Sequence, residues 1–391
     1  MSGPLAGLRV LEIASAAPAP FACMLLSDLG GDVVVVDRPP RKGREAKRTR
    51  DPLMRGRRSV TADLKTDDGI AVVRQLSSAA DVLIEGFRPG VMERLGLGPD
   101  EMLAANPHLI YGRMTGYGQT GPLSMRAGHD INYIAVAGAL EPIGRHGQRP
   151  VPPLNLVGDF GGGGMLLAVG ILAALHERQR SGLGQVVDAA MVDGAALMMA
   201  FVHGLRAEGH WSDRRGTNLV DGGAPFYDTY QTADGGYMAV GALESRFYEQ
   251  LLIGLGLRDD PDLPDQMDRA GWPQLRARFA DIFARRSRAE WAEVFAELDA
   301  CVSPVLAPAE VADSSHARAR NGFIEVAGVC HPSPAPRFSR TPAPVPSAPR
   351  IPGEDTAEVL ADWLSWVRPV PAADGMLATD VVVTGLATEP S

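Results

Sequence analysis

Cysteine is scarce. Cys23, Cys301 and Cys330 are odd in number and lie far apart, which fits neither a disulfide framework nor a zinc-ligand spacing and points to a reducing compartment. Long hydrophobic runs are missing as well: stretches such as 33–36 or 165–175 fall far short of the roughly 20 residues a bilayer span needs. The N-terminus has no basic-then-apolar signal pattern and the chain ends Thr388-Glu389-Pro390-Ser391 without a Ser-Lys-Leu-type address, so a cytosolic protein is expected. An excess of positive charge is absent too; the formal net charge of −9 argues against non-specific nucleic-acid binding. The turn after the first apolar run reads Ala14-Ser15-Ala16-Ala17-Pro18-Ala19-Pro20, lacking the glycines that bring a dinucleotide diphosphate onto backbone, which excludes a nicotinamide dehydrogenase of that type. No serine occupies a Gly-x-Ser-x-Gly elbow, and the eight histidines show no metal-cage pairing.

What is present is an ordinary globular composition, with 45% hydrophobic and 22% charged residues over 391 positions, a length that calls for two cores. Short Val-, Ile- and Leu-rich runs at 8–13, 32–37, 81–84 and 109–114 alternate with helical patterns at 21–29, 67–78 and 100–105. That alternation predicts an α/β fold with a mostly parallel sheet covered by helices. Further helices are expected over 161–180, starting on four glycines, and 191–208. From Phe226 the character changes: 226–232, the turn Ala233-Asp234-Gly235-Gly236 and 237–240 read as a hairpin, followed by helices over 245–255, 272–285 and 288–298. The expected organisation is a large α/β domain over 1–190 completed by about 334–368, a linker over 191–224, a small α+β domain over 225–311, a return linker over 312–333 and a loose tail over 369–391.

The segment 38–58 carries ten Lys or Arg residues against Glu45 and Asp51. By charge alone it is either a solvated loop or an attractor for the phosphates of a nucleotide-bearing ligand. Three other segments join glycine to an ionisable residue: Gly128-His129-Asp130-Ile131-Asn132-Tyr133, Asn155-Leu156-Val157-Gly158-Asp159-Phe160-Gly161, and Val240-Gly241-Ala242-Leu243-Glu244. His129 can exchange a proton near neutral pH or simply pack in its loop. Asp159 is either a positioned base or nucleophile, or an N-cap of the glycine-led helix. Glu244 stands where a strand meets a helix, a place for site residues and for acids that favour a helix N-terminus alike.

At these segments the sequence resembles the family III CoA-transferases and, within them, the α-methylacyl-CoA racemases. The resemblance runs from about residue 4 to 363 and includes Thr61-Ala62-Asp63-Leu64-Lys65, Glu85-Gly86-Phe87-Arg88-Pro89-Gly90-Val91 and Glu93-Arg94-Leu95-Gly96-Leu97-Gly98-Pro99. It implies a large Rossmann-like domain with a smaller α+β domain, in an interlocked homodimer. It also implies inversion of the centre beside a thioester carbonyl by acid and base residues alone, with acyl-CoA as substrate and no cofactor or metal. On that resemblance His129, with Glu244 as its hydrogen-bonded partner, serves one face of the substrate and Asp159 the other. Arg38, Ala62, Arg88 and Arg94 hold the CoA moiety, and methionines such as Met191, Met198 and Met199 carry the acyl chain. Ser245 departs from the proline these racemases usually have after the glutamate. For the enolate oxygen, the helix start at Gly161 and Gly162 is the expected donor site. The competing activity is CoA transfer between carboxylic acids through Asp159.

Overall fold

The structure is a computed structural model that describes residues 3–364 except 16, 41, 42 and 44. The expected tail over 369–391 therefore lies outside the described residues, as does the end of the 334–368 segment. The first half of the chain runs β1 (Arg9–Ile13), α1 (Pro18–Asp28), β2 (Asp32–Asp37), β3 (Arg58–Thr61), α2 (Asp67–Ala79), β4 (Val82–Glu85), α3 (Val91–Arg94), α4 (Pro99–Ala105), β5 (Ile110–Thr115) and α5 (Asp130–Val136). A π-helix over Leu156–Met165 leads directly into α6 (Leu166–Ser181), followed by β6 (Gln185–Ala190), α7 (Met191–Met198) and α8 (Ala200–Ala207).

The six strands form one parallel sheet in the order β3-β2-β1-β4-β5-β6. Both faces of the inner strands are covered, which is why those strands are rich in apolar residues. Val10, Val33, Val82 and Ile110 point to α1 and α6, packing with Ala22, Leu26, Leu167 and Ile171. Their neighbours Leu11, Val34, Leu83 and Tyr111 point to the opposite layer, where Val73 and Leu76 of α2 lie. The helix α2 starts on Thr66, whose hydroxyl accepts from Gly69 N–H at 3.2 Å, with Asp67 and Asp68 favourably placed in its first turn.

The second half comprises β7 (Tyr227–Gln231), β8 (Tyr237–Gly241), α9 (Ser245–Leu255), α10 (Trp272–Phe283), α11 (Arg288–Val294), β9 (Val302–Pro304), α12 (Pro308–Val311), α13 (Ser315–Ala319), β10 (Phe323–Val326), β11 (Val329–Pro332) and α14 (Thr356–Leu364). The antiparallel sheet β7-β8-β9 and helices α9 to α11 enclose a separate aromatic core that includes Phe226, Tyr230, Trp272, Phe279, Phe283, Trp291 and Phe295. The chain then returns to the large sheet. Buried Val359 and Trp363 of α14 join the α2 layer, and Trp363 donates its indole N–H to Asp32 at 2.8 Å.

Two parts of the expected organisation are corrected. The segment 191–224 does not begin as a linker, because α7 packs against the π-helix with Met191, Gly194 and Ala195 buried. The return segment 312–333 holds a helix and the hairpin β10-β11, bound back through Arg55, which donates to the Pro332 carbonyl at 2.6 Å. The glycines at 161–164 do not start a helix either. They lie inside a 26-residue helical stretch, Leu156–Ser181, which is apolar and long enough to cross a membrane. Here it packs on α1, α7, β5 and β6. One side of it stays open, with Leu156, Met165 and Val169 exposed, and Leu197, Met198 and Phe201 on α7 and α8 are exposed as well.

Candidate functional site

In an open parallel sheet the crevice lies at the carboxyl edge where strand order reverses. With the order 3-2-1-4-5-6, that place is between β1 and β4. A cleft of about 570 Å³ opens there, a volume suited to a small-molecule ligand. Its walls come from the segments that leave the strands: Ala17 and Pro18 after β1, Gly86 to Pro89 after β4, Met114 to Tyr117 at the end of β5, and Met191 after β6. Residues 126–129, Asn132 and Tyr133 close one side, and Asp159 reaches in from the π-helix.

His129 precedes α5 as its N-cap, and its own N–H donates to the side-chain oxygen of Asn132 at 3.0 Å, which closes the first turn. The imidazole is exposed to the cleft. Tyr133 packs edge-on against Tyr117 at 4.9 Å and donates its hydroxyl to the Gly128 carbonyl, fixing the turn that carries His129. Asp159 is not an N-cap; Asn155 holds that position and Asp159 lies four residues further on. The wide turn aims its carboxyl into the cleft, where Asn155 Nδ2 donates to Oδ2 at 3.2 Å. Insertions of this kind in helices are frequent at functional sites. Burial pushes the Asp159 carboxyl above the usual carboxylate range; the Asn155 hydrogen bond opposes the rise, the Asp130 carboxylate adds to it and His129 lowers it.

The loop carrying Arg88 is held from beneath. Glu85, fully buried at the end of β4, accepts from Phe87 N–H at 2.7 Å and from Arg113 Nε at 3.0 Å, and Arg113 reaches on to Glu93 at 2.8 Å. Burial raises the Glu85 carboxyl, opposed by the Phe87 hydrogen bond and then by Arg113. Arg88 and Arg126 therefore bring two guanidinium groups to the cleft wall. Arg38, exposed after β2, and Ala62, buried after β3, lie along the same carboxyl edge, and Arg94 is exposed on α3. None of these three lines the cleft itself.

The basic segment divides into two roles that charge alone did not separate. Arg55 pairs with Asp28 at 2.6 Å and Arg57 with Glu12 at 2.6 Å, all four side chains being buried, while Arg58 pairs with Asp32 and Arg48 with Glu354. These cations tie the segment to the fold, whereas Arg38 stays exposed.

Two expectations are corrected. Gly161 and Gly162 do not face the cleft; they serve close packing. A Cβ on Gly162 would come within 2.6 Å of Ala195 N, and one on Gly161 within 3.0 Å of Met198 Sδ. Their peptide groups lie in the body of a helix whose first turn is five residues earlier, so they are not a terminal donor site. Glu244, the N-cap of α9, is exposed on the small core and is not part of the cleft within one chain. Its surroundings are those of Cys301, whose thiol it helps to raise after burial and Asp299. Of the methionines, Met191 and Met114 line the cleft, whereas Met198 is exposed beside Gly161. Sequence reasoning did not single out Asn155, Glu85, Arg126 or Tyr133 for a role. Asn155, Tyr133 and Glu85 stood in glycine-containing segments already singled out, while Arg126 had no local signal. Among the described residues no cluster of three or more His, Cys, Asp or Glu is arranged to hold a metal ion.

The model for CoA-transferase family III matches residues 5–356. The chain is 51% identical over 362 residues to the alpha-methylacyl-CoA racemase of Mus musculus, covering 92% of this chain and 93% of that protein. It is 48% identical over 363 residues to the alpha-methylacyl-CoA racemase of Homo sapiens, with 92% and 93% covered. Among solved structures, a CAIB/BAIF family protein from Brucella suis superposes with a TM-score of 0.79 at 27% identity, covering 93% of this chain and all of that one.

Proposed function

This chain belongs to CoA-transferase family III, and from that premise we propose that it is an α-methylacyl-CoA racemase, interconverting the two epimers of 2-methylacyl-CoA thioesters. The observation that carries the reading is that His129 and Asp159, from separate elements, share one cleft at the sheet's switch point, where burial raises the Asp159 carboxyl above the usual carboxylate range. The close likeness to two racemases over nine-tenths of the chain supports it.

Inversion at C2 takes two proton transfers on opposite faces of a planar intermediate. One group removes the C2 proton, leaving its electron pair delocalised into the thioester carbonyl as an enolate. The other returns a proton from the opposite face, and the two groups exchange roles for the reverse reaction. No oxidation state changes, so the reading calls for no redox group. His129 and Asp159 fill the two positions. The first turns of α1 and α5 both open on the cleft, and the positive ends of their peptide dipoles suit a developing negative charge such as the enolate's. Arg88 and Arg126 suit the phosphates of the CoA moiety, with Arg38, Ala62 and Arg94 further along the same edge. Apolar walls from Met114, Tyr117 and Met191 suit the branched acyl chain.

Glu244 enters this reading through a second copy of the chain. The exposed apolar side of the 156–181 helix and of α7 and α8, with Val169 61%, Leu197 65% and Phe201 64% accessible, is the kind of surface a homodimer covers. In that arrangement the partner's small domain supplies Glu244 to His129. The three thiols are free, which suits the cytosol.

The test is proton NMR of one epimer of a 2-methylacyl-CoA in deuterated water without an acceptor acid. Loss of the C2 proton signal together with appearance of the other epimer, both abolished by His129→Ala or Asp159→Ala, is the expected result. No exchange until a free carboxylic acid is added, followed by CoA transfer to it, would replace this reading with the transferase one.

A further inference from the structure

Between the two residues of the proton relay lies a carboxylate that the reaction does not use. Asp130 is the first residue of α5, joined to His129 by a peptide bond, and its side chain is buried. Its Oδ2 accepts the backbone N–H of Asp159 at 2.7 Å, and its Oδ1 is buried without a hydrogen-bond partner. The contact requires Gly158: a Cβ there would come within 2.6 Å of Asp130 Oδ2 and 2.9 Å of its Cγ. A half-satisfied buried carboxylate is costly and calls for a reason. A neutral asparagine could accept the same N–H.

We propose that Asp130 is a positioning residue for Asp159: it pins the wide turn of the π-helix to the residue after His129, fixing the spacing of the two proton carriers, and it keeps a second negative charge beneath the Asp159 carboxyl. This rests on the racemase reading for the use of that spacing, though not for the charge. His129, Asp130 and Tyr133 of α5 and Asn155 of its own element interact with Asp159, Arg88 and Arg126 line the same cleft, and Pro18 of α1 and Met191 of α7 add apolar walls. Among the described residues Asp130 is the neighbouring carboxylate that raises Asp159.

The experiment compares wild type, Asp130→Asn and Asp130→Ala. Each is followed by C2-proton exchange of one acyl-CoA epimer from acidic to alkaline pH, and by carbon-13 NMR of the labelled Asp159 carboxyl, assigned through Asp159→Asn. Asparagine keeps an oxygen for the Asp159 N–H and drops the charge. Its acidic limb of kcat should move to lower pH, with the Asp159 signal titrating lower and KM for acyl-CoA retained. Alanine also releases the turn, and kcat should fall on the order of a hundredfold with KM again retained, the loss expected for a misplaced catalytic group. An unmoved pH profile and carboxyl titration in Asp130→Asn, or a KM that rises in step with the loss of rate, would overturn the proposal. Wild type without C2 exchange would remove the racemase reading alone, because the carboxyl titration still decides for or against Asp130. Should Asp130→Ala fail to fold, the isosteric Asp130→Asn carries the decision.

Discussion

Replacing Gly162 by alanine adds one methyl group at a close helix contact behind the site. Its Cβ would stand 2.6 Å from the backbone nitrogen of Ala195, where ordinary contact begins near 3.4 Å. The neighbour is backbone in α7 and has no rotamer by which to yield, so the π-helix and α7 must separate by roughly 0.8 Å. Overpacking of this kind costs about 1–3 kcal/mol. The same displacement acts on Asp159, three residues away on the same element and held to Asp130 by a single 2.7 Å hydrogen bond. Misplacing a reacting group by about 1 Å costs on the order of a hundredfold in rate. The assay is urea unfolding followed by circular dichroism, paired with C2-deuterium incorporation at saturating acyl-CoA on protein verified as folded. The expected outcome is a lower unfolding midpoint and a large loss of kcat without a matching rise in KM. Wild-type stability together with wild-type exchange would refute the packing role assigned to the glycine run.

Asp159→Asn should abolish exchange from both epimers while raising thermal stability at neutral pH. The folded-state carboxyl is raised above its unfolded value, so its favourable contribution is complete at acidic pH and is lost as pH rises through the folded value. Neutral asparagine escapes that loss, and the gain over wild type should shrink as pH is lowered in a series of melts. Arg57→Ala should cost about 3–5 kcal/mol by denaturant titration, because Glu12 is left buried and unpaired; a loss below 1 kcal/mol would show that water or another group takes over. Co-expressing His129→Ala with Glu244→Ala should restore about a quarter of wild-type exchange, since random pairing makes half the dimers mixed and each mixed dimer holds one intact site. No recovery would place Glu244 in the site of its own chain or outside the site altogether.

Much of the large sheet was legible in the sequence. Strands with both faces buried are rich in apolar residues, and β1, β2, β4 and β5 stood out accordingly. The strands β3 and β6 did not: Arg58–Thr61 and Gln185–Ala190 sit at the sheet edges and carry Arg, Ser, Gln and Asp, residues that edges tolerate and cores do not. The helix 191–208 was foreseen as one and is two, divided at Met199. Of the candidate site, His129, Asp159 and Arg88 were marked by glycine-bounded motifs and by family resemblance, and the fold gathers all three at one cleft. Gly161 and Gly162 were misplaced because a glycine run looks the same whether it admits a ligand or a neighbouring helix.

The sequence by itself determined the class of fold, the inner strands of the large sheet and the family, because hydrophobic periodicity and motif order are local properties that survive without coordinates. The tertiary structure alone decided which charges line the cleft and which are struts, as with Arg88 against Arg55 and Arg57. It also decided that Asp159 rides on a π-helix above Asp130 and that Glu244 is outside the cleft of its own chain. These depend on distances between residues far apart in the chain, and electrostatic coupling, burial and shared cavities arise only when packing sets those distances.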